Sequence, residues 1–339
     1  MNALVTGGGG FLGRHIVMKL LARGDRVRIL GRRSYPDWEA RGAETLSADL
    51  QDKAAVEHAC LGMDAVFHVA ALAGYWGPWD AYYGPNVVGT ENVLSGCRKA
   101  GVRKLIYTST PSVVSARGNL EHVDERVPYP EKFECPYPAT KALAEQLVLK
   151  ANGVNGLLTV SVRPHLIFGP GDPHLLPRII ERGRNGQLIQ VGNGANKVDV
   201  VYVENAADAH LLAADRLGRA PIDGQAYFIS QGAPVVLWAW INIILERLGL
   251  PRVRRKMSYR TARTVGAVLE IVYTVLPLRG EPRMTRFLAD QLATSHYFDI
   301  SKARRELGYE PRVSTEEGLE RTLKAIHIGS LSPGGRGRG

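Results

Sequence analysis

Over the first 165 residues, short apolar runs alternate with longer runs whose apolar positions recur every three or four residues. ALVT (3–6), RVRIL (26–30), MDAVFHVAA (63–71), VRKLIYTS (102–109) and GLLTVSVRP (156–164) read as strands. Between them, FLGRHIVMKLLARG (11–24), DKAAVEHAC (52–60), VVGTENVLSGCRKAG (87–101) and PATKALAEQLVLKANG (138–153) read as helices. Gly24, Gly101 and Gly153 stand where a helix C-terminus takes a left-handed residue. This alternation predicts an α/β fold, a doubly wound parallel sheet with helices on both faces. The unbroken apolar run around Phe67 fits a strand buried on both sides.

Beyond about residue 170 the pattern loosens, with Pro and Gly frequent in GPGDPHLLP (169–177) and VGNGANK (191–197). SKARREL (301–307) and STEEGLERTLKAI (314–326) close the chain as helices, and Ser314 and Glu317 have capping-box spacing. The expected layout is a nucleotide-binding domain over 1–168 and a smaller α/β substrate lobe over 169–328. The chain is expected to recross near 198–230 and to end in a disordered tail over 329–339.

One stretch between the first strand and first helix changes the picture from fold to chemistry. TGGGGFLG (6–13) carries two overlapping glycine frames, Gly8-Gly10-Gly13 and Gly7-Gly10-Gly13. In both, Gly10 lets the backbone approach a pyrophosphate and Gly13 lets the helix pack on the sheet; the diphosphate then rests on the helix N-terminus. Gly9 reads as a variable position. After the second strand an NAD-selective site needs an acid for the ribose hydroxyls, and this chain has Gly31, Arg32 and Arg33 instead. A guanidinium pairs bidentately with a 2′-phosphate, so NADP(H) is expected, with NAD(H) as the alternative. Asp49, in SADL after the third strand, is placed to meet the adenine or to cap a helix.

Composition narrows the classes. The 339 residues carry 43 Lys and Arg against 33 Asp and Glu, a net charge of +10. Six of the basic residues fall in PRVRRKMSYRTAR (251–263), which holds no acid. No aromatic-interleaved RNA- or DNA-binding motif accompanies them, so nucleic acid is not an expected partner. Three cysteines without a CxxC argue against a disulfide framework or a metal site, and no secretory signal is evident, so a cytoplasmic setting is expected.

CPYPATKALAEQ places Tyr137 and Lys141 four apart at the start of a helix, so both face one ligand. An ammonium beside a phenol favours the phenolate, and such a tyrosine can protonate a carbonyl oxygen or deprotonate an alcohol. KLIYTSTPSVV ends a strand at the carboxyl edge, where open α/β sheets bind ligands; Thr110, with Ser109 beside it, is the candidate donor to the carbonyl. A turn cap is the other use of such a hydroxyl.

Together these residues resemble the extended short-chain dehydrogenase/reductase superfamily. The resemblance rests on Thr6 to Gly13, His68-Val69-Ala70-Ala71, Asn86, Thr108-Ser109-Thr110, Tyr137 with Lys141, and Arg163-Pro164. It implies a Rossmann-type domain, a Thr/Ser–Tyr–Lys catalytic set and often a homodimer. Cofactor contacts are then expected at Gly7, Gly10, Phe11, Leu12 and Gly13, at Leu50, Ala70 and Ala71, and from Arg163 through Pro164 to His165. Pro111 and Ser112 replace the acid pair that family dehydratases carry after the threonine. YTSTPSVV and PYPATK look like the 3β-hydroxysteroid dehydrogenase branch. GYWGPWDAYYGPNVVGTENV, GPGDPHLLPR, NKVDVVYVENAADAH and RGEPRMTRFLADQLATSHYFD look, more narrowly, like the 2-alkyl-3-oxoalkanoate reductases of bacterial long-chain olefin biosynthesis. That resemblance implies NADPH reduction of a long-chain 2-alkyl-3-keto acid and a β-lactone-forming partner downstream.

TARTVGAVLEIVYTVLPL (261–278) offers apolar surface for alkyl chains, interrupted by Arg263 and Glu270. It is too short for a membrane span; with the basic cluster it fits a lining, a lid, or contact with an anionic lipid surface. Arg178, Arg283 and Arg286 are candidates for the substrate carboxylate. Two other readings stand beside the ketoreductase: an NAD(P)-dependent 3β-hydroxysteroid dehydrogenase, and a catalytically silent NADP-sensing scaffold.

Overall fold

A computed structural model describes residues 1–331 except 116, 220, 277 and 279. Its centre is a seven-stranded, wholly parallel sheet. We number its strands along the chain: β1 Asn2–Thr6, β2 Arg26–Gly31, β3 Glu44–Ser47, β4 Ala65–His68, β5 Lys104–Thr108, β6 Leu158–Pro164 and β7 Gln225–Ile229. Their spatial order is β7-β6-β5-β4-β1-β2-β3. The order reverses between β4 and β1, and there the carboxyl ends of the strands open a crevice.

The alternating side chains of these strands feed two cores. Val5, Ile29, Phe67, Ile106 and Val160 enter one, and Leu4, Leu30, Val66, Leu105 and Tyr107 the other. Helix α1 (Phe11–Ala22) packs on the first face beside α6 (Val203–Arg216); α2 (Lys53–Ala59), α3 (Gly89–Ala100) and part of α4 (Pro136–Lys150) cover the second. Burying each such Leu, Ile, Val or Phe side chain contributes about 1.5–3 kcal/mol. The run expected as a strand over 63–71 is shorter: β4 stops at His68, because the chain leaves the sheet there to form the crevice wall. Gly24, Gly101 and Gly153 all have positive φ, and Ser314 Oγ accepts from Glu317 N.

The chain leaves the sheet after Pro164 and returns through α6 and β7, which pairs with β6. The smaller lobe comprises α5 (Leu175–Arg184), α7 (Leu237–Arg247), α8 (Tyr259–Val275), α9 (Arg286–Ala293) and short strands. One of its small sheets joins Val235–Val236, Lys197–Val198, His296–Phe298 and Leu120–Val123. The last helix, α10, spans Thr315–Leu331 and so takes up 329–331 of the segment expected as a tail; residues 332–339 lie outside the described residues.

Candidate active site

The glycine turn connects β1 to α1. Gly7 has φ +70°, a conformation that favours glycine, and a Cβ there would meet Ala70 Cα at 2.9 Å. A Cβ on Gly13 would stand 2.2 Å from the Gly7 carbonyl oxygen. Gly7, Gly10 and Gly13 line the crevice, while a Cβ on Gly8 would meet Ile29 and Val17 instead. Gly9 is not open space as expected of a variable position: the Tyr35 ring lies over it, and Tyr35 also covers Gly31. No side chain caps α1, which leaves its first-turn N–H groups facing the crevice. These features fit a dinucleotide pyrophosphate.

A cleft of about 1710 Å³ runs from this turn into the smaller lobe. Gly7, Gly10, Phe11, Leu12 and Gly13 line one end with Arg32, Asp49 and Leu50. Ala70, Ala71, Ser109, Thr110, Tyr137, Lys141, Pro164 and His165 line its middle. Arg178 and Arg283 line the far part, among Ile179, Trp238, Met284 and Phe287. Three expected residues, Arg33, Arg286 and Arg163, lie elsewhere. Arg33 is exposed and is not part of the lining, since the chain bends away at 32–33 once β2 has ended at Gly31. Arg286 borders a separate cavity of about 410 Å³, where its Nε donates to Glu270 at 2.7 Å. Arg178 reaches the cleft but is bound to Glu281 at 3.0 Å and lies over the Tyr75 ring. Asp49 is no helix cap; it accepts from Gln51 N, and Asp52 caps α2.

Helix α4 begins at Pro136 with a second proline at 138, both in the first turn where a missing N–H costs nothing. Tyr137 and Lys141 project from it into the cleft. Lys141 Nζ donates to the Thr108 carbonyl at 2.6 Å and lies 4.1 Å from the centre of the Tyr107 ring. Burial pulls its pKa down to about 7, with Glu145 one helical turn on pushing back. Burial pushes Tyr137 up to about 12, with the Thr110 hydroxyl opposing. The expected lowering of Tyr137 by Lys141 is thus absent from this geometry: dehydration of the phenol dominates, and Lys141 directs its proton to a main-chain carbonyl. Thr110 caps the turn that follows β5 and also faces the cleft. Its Oγ1 accepts from Ser112 N at 3.2 Å, and it lines the cleft beside Tyr137. Ser109 Oγ is buried without a hydrogen bond.

Arg163 does not border the cleft, as the family pattern implied. Its guanidinium is bound to Glu145, 2.5 Å from Nη2, and Ser161 and Tyr129 also donate to that carboxylate. Burial raises the Glu145 pKa, but the Arg163 charge and these donors overcome it and hold the carboxyl low.

The hydrogen bonds that join Thr6, His68 and Asn86, residues already named in the family resemblance, were not legible in the sequence. Thr6 Oγ1 accepts from Val69 N and Ala70 N and hydrogen bonds to His68 Nδ1 at 2.8 Å. His68 Nε2 bonds to Thr90 Oγ1, which donates to Asn86 O. Asn86 in turn holds both backbone groups of Leu72 and reaches Thr140 of α4. Burial lowers His68 to about 3, so the ring is neutral and its two nitrogens play opposite roles. This network ties the wall at 69–72 to the glycine turn and the tyrosine helix. Tyr35 and Tyr75 also line the cleft, as does Ser112, two residues beyond Thr110.

The sequence matches the 3-beta hydroxysteroid dehydrogenase/isomerase family over residues 4–259. It is 50% identical to a 2-alkyl-3-oxoalkanoate reductase of Stenotrophomonas maltophilia, covering 96% of this chain and 99% of that protein. A 2-alkyl-3-oxoalkanoate reductase of Shewanella oneidensis is 46% identical over 96% of this chain and 86% of its own. The human sterol-4-alpha-carboxylate 3-dehydrogenase, decarboxylating, is 34% identical over 95% and 87%. Among solved structures, MoeE5 in complex with UDP-glucose and NAD superposes with a TM-score of 0.75 at 26% identity, over 98% of this chain and all of that one. UDP-glucose 4-epimerase from Thermotoga maritima gives 0.75 at 25%, over 97% of this chain and 100% of the other. With its Gly7-Gly10-Gly13 turn, its Tyr137–Lys141 helix and this similarity along nearly its whole length, the chain belongs to the 3-beta hydroxysteroid dehydrogenase/isomerase family of extended short-chain dehydrogenase/reductases, NAD(P)-dependent oxidoreductases.

Proposed function

We propose that this enzyme reduces the 3-keto group of a long-chain 2-alkyl-3-oxoalkanoic acid to the 3-hydroxy acid, with NADPH as the preferred reductant. The observation that carries the reading is the single cleft that continues past Tyr137 into a largely apolar arm beside Ile179, Trp238, Met284 and Phe287. At about 1710 Å³ it exceeds the roughly 300–1,000 Å³ of an ordinary small-molecule site, leaving room for a dinucleotide and a second, lipid-like molecule. The reductases of Stenotrophomonas and Shewanella support this substrate class.

The residues divide the work as follows. The glycine turn and the N-terminus of α1 receive the pyrophosphate, and Arg32 pairs with the 2′-phosphate. The reduced nicotinamide supplies the hydride when bound. Tyr137, kept protonated by burial, gives its proton to the carbonyl oxygen as charge develops there. Thr110 donates a hydrogen bond to the same oxygen, and Ser109 stands behind it. Lys141, held on the Thr108 carbonyl, places its positive charge at this end of the cleft. Arg283 lines the far part of the cleft and, like Arg182 and Arg255, has no ion-pair partner among the described residues, whereas Arg178 is held by Glu281; this favours Arg283 over Arg178 for the substrate carboxylate. Such a 3-hydroxy acid is the material a β-lactone-forming enzyme of olefin biosynthesis would consume.

Following NADPH oxidation with a 2-alkyl-3-oxoalkanoate, beside NADP⁺ reduction by a 3β-hydroxysteroid, tests the proposal. Turnover of the keto acid is expected; turnover of the steroid alone would replace this reading with the steroid dehydrogenase one.

A further inference from the structure

We propose that the outer face of α8, with the basic segment that leads into it, docks on an anionic lipid surface and sets the mouth of the cleft against that surface. The proposal rests on the long-chain substrate reading for its purpose, though not for its geometry.

Gly266 fixes how α8 is turned. A Cβ there would lie 2.6 Å from the Thr285 carbonyl carbon, so this side of the helix is pressed against the start of α9. At about 100° per residue, Val268, Ile271 and Val275 lie on the opposite side. They are 54%, 64% and 71% exposed, with Ile271 and Val275 at the rim of the cavity of about 410 Å³, and Leu276 and Leu278 continue the patch at 52% and 47%. A contiguous run of large apolar side chains open to water marks an interaction site rather than an ordinary surface. Between the two sides, Val265 and Leu269 of the same helix line the cleft. The patch is therefore the outside of the cleft wall.

Charge selects the partner. Arg254 and Lys256 precede α8, and Arg260 stands on its outer side; all three are exposed, and none has an ion-pair partner among the described residues. The nearby acids are neutralised within the protein: Glu246 by Arg252, Glu270 by Arg286, Glu281 by Arg178. Apolar residues on one side of a helix with unopposed cations at its start form the pattern of an interfacial helix. A second copy of this chain is the less favourable occupant, because a two-fold interface would set these cations against one another. No helix among the described residues is long and apolar enough to cross a membrane, so contact is at the depth of headgroups. An alkyl substrate dissolved in the bilayer would then enter between α8 and the loop carrying Tyr75 without crossing water.

The test is co-sedimentation of the full chain with vesicles of phosphatidylglycerol and phosphatidylcholine, against vesicles of phosphatidylcholine alone. Binding to the anionic vesicles that weakens with salt is expected. Two variants separate the contributions: Val268→Gln/Leu276→Gln/Leu278→Gln for the apolar patch, and Arg254→Gln/Lys256→Gln/Arg260→Gln for the charge. Each is expected to lower the vesicle partition roughly tenfold or more, while NADPH binding and turnover of a short, water-soluble keto acid stay within about twofold. Equal partition of wild type and charge variant, or no binding to anionic vesicles, overturns the proposal. A wild-type dimer that dissociates in the apolar variant, with no vesicle binding, assigns the face to a second copy and overturns it too. Vesicle binding is measured without turnover, so failure of the ketoreductase reading and failure of this one are separately visible.

Discussion

Lys141 Nζ donates to the Thr108 carbonyl oxygen at 2.6 Å, across the gap between α4 and the end of β5. The lysine is fully dehydrated there, and its pKa falls to about 7. A group whose charged form is disfavoured by the fold loses its proton earlier in the folded protein than in the unfolded chain. kcat/KM reports groups of the free enzyme, so ketone reduction is expected to fall as pH rises through about 7. Lys141→Arg, which holds its proton, is expected to move that limb to higher pH. A profile flat from pH 6 to 9 in the wild type would remove Lys141 charge from the reaction.

Tyr137 is expected to be indispensable for chemistry and dispensable for cofactor. Tyr137→Phe should lower kcat by roughly 10²-fold or more and leave NADPH affinity, read by fluorescence titration, within about twofold. A variant with unchanged turnover would place the proton donor elsewhere.

Arg32 lines the cleft and Arg33 does not. Charge-assisted hydrogen bonds contribute about 1.5–3 kcal/mol, so Arg32→Ala is expected to raise the NADPH Kd about tenfold or more while barely changing that of NADH. Arg33→Ala should do much less. Equal losses for the two cofactors in Arg32→Ala would count against a 2′-phosphate contact.

The glycines separate in the same way. A Cβ at position 13 meets main chain at 2.2 Å and cannot be accommodated by a rotating side chain. Gly13→Ala is expected to abolish cofactor binding or lower Tm markedly. At Gly9 the obstruction is the Tyr35 ring, which can swing aside, so Gly9→Ala should bind cofactor and fold.

Glu145 holds Arg163 in a fully buried pair. Breaking such a pair from one side leaves an unmatched buried charge and costs about 3–5 kcal/mol, so Glu145→Gln should lower Tm by several degrees. The Glu145 pKa is lowered in the fold; its stabilisation is present above the unfolded carboxylate value and disappears as pH falls through the folded one. The Tm difference between variant and wild type should therefore shrink toward acid pH.

What could be read from the chain was what its chemistry keeps local. The strand–helix alternation, the glycine turn and the four-residue step from Tyr137 to Lys141 each lie within one turn of backbone or one repeat of pattern. What could not be read depended on contacts between distant segments. Arg286 looked available because Glu270, its partner, lies on another helix. Arg163 followed the family pattern in sequence, yet its side chain answers to Glu145 on α4. Tyr35 and Tyr75 have no periodicity to mark them. The pKa of Tyr137 was misjudged for a related reason: spacing places an ammonium nearby but does not say how much water burial removes.

The hydroxyl–imidazole chain from Thr6 through His68 to Thr90 has a further consequence. Thr6 Oγ1 already accepts from two amides, and Thr90 Oγ1 gives its hydrogen to Asn86 O. Every hydrogen in the series therefore points one way, and the imidazole has a single permitted tautomer. With its pKa near 3, it does not change charge over any pH at which a cell lives. Other histidine-containing sites soften on acidification; the wall that this one braces keeps its shape, and acid sensitivity of the enzyme must come from elsewhere.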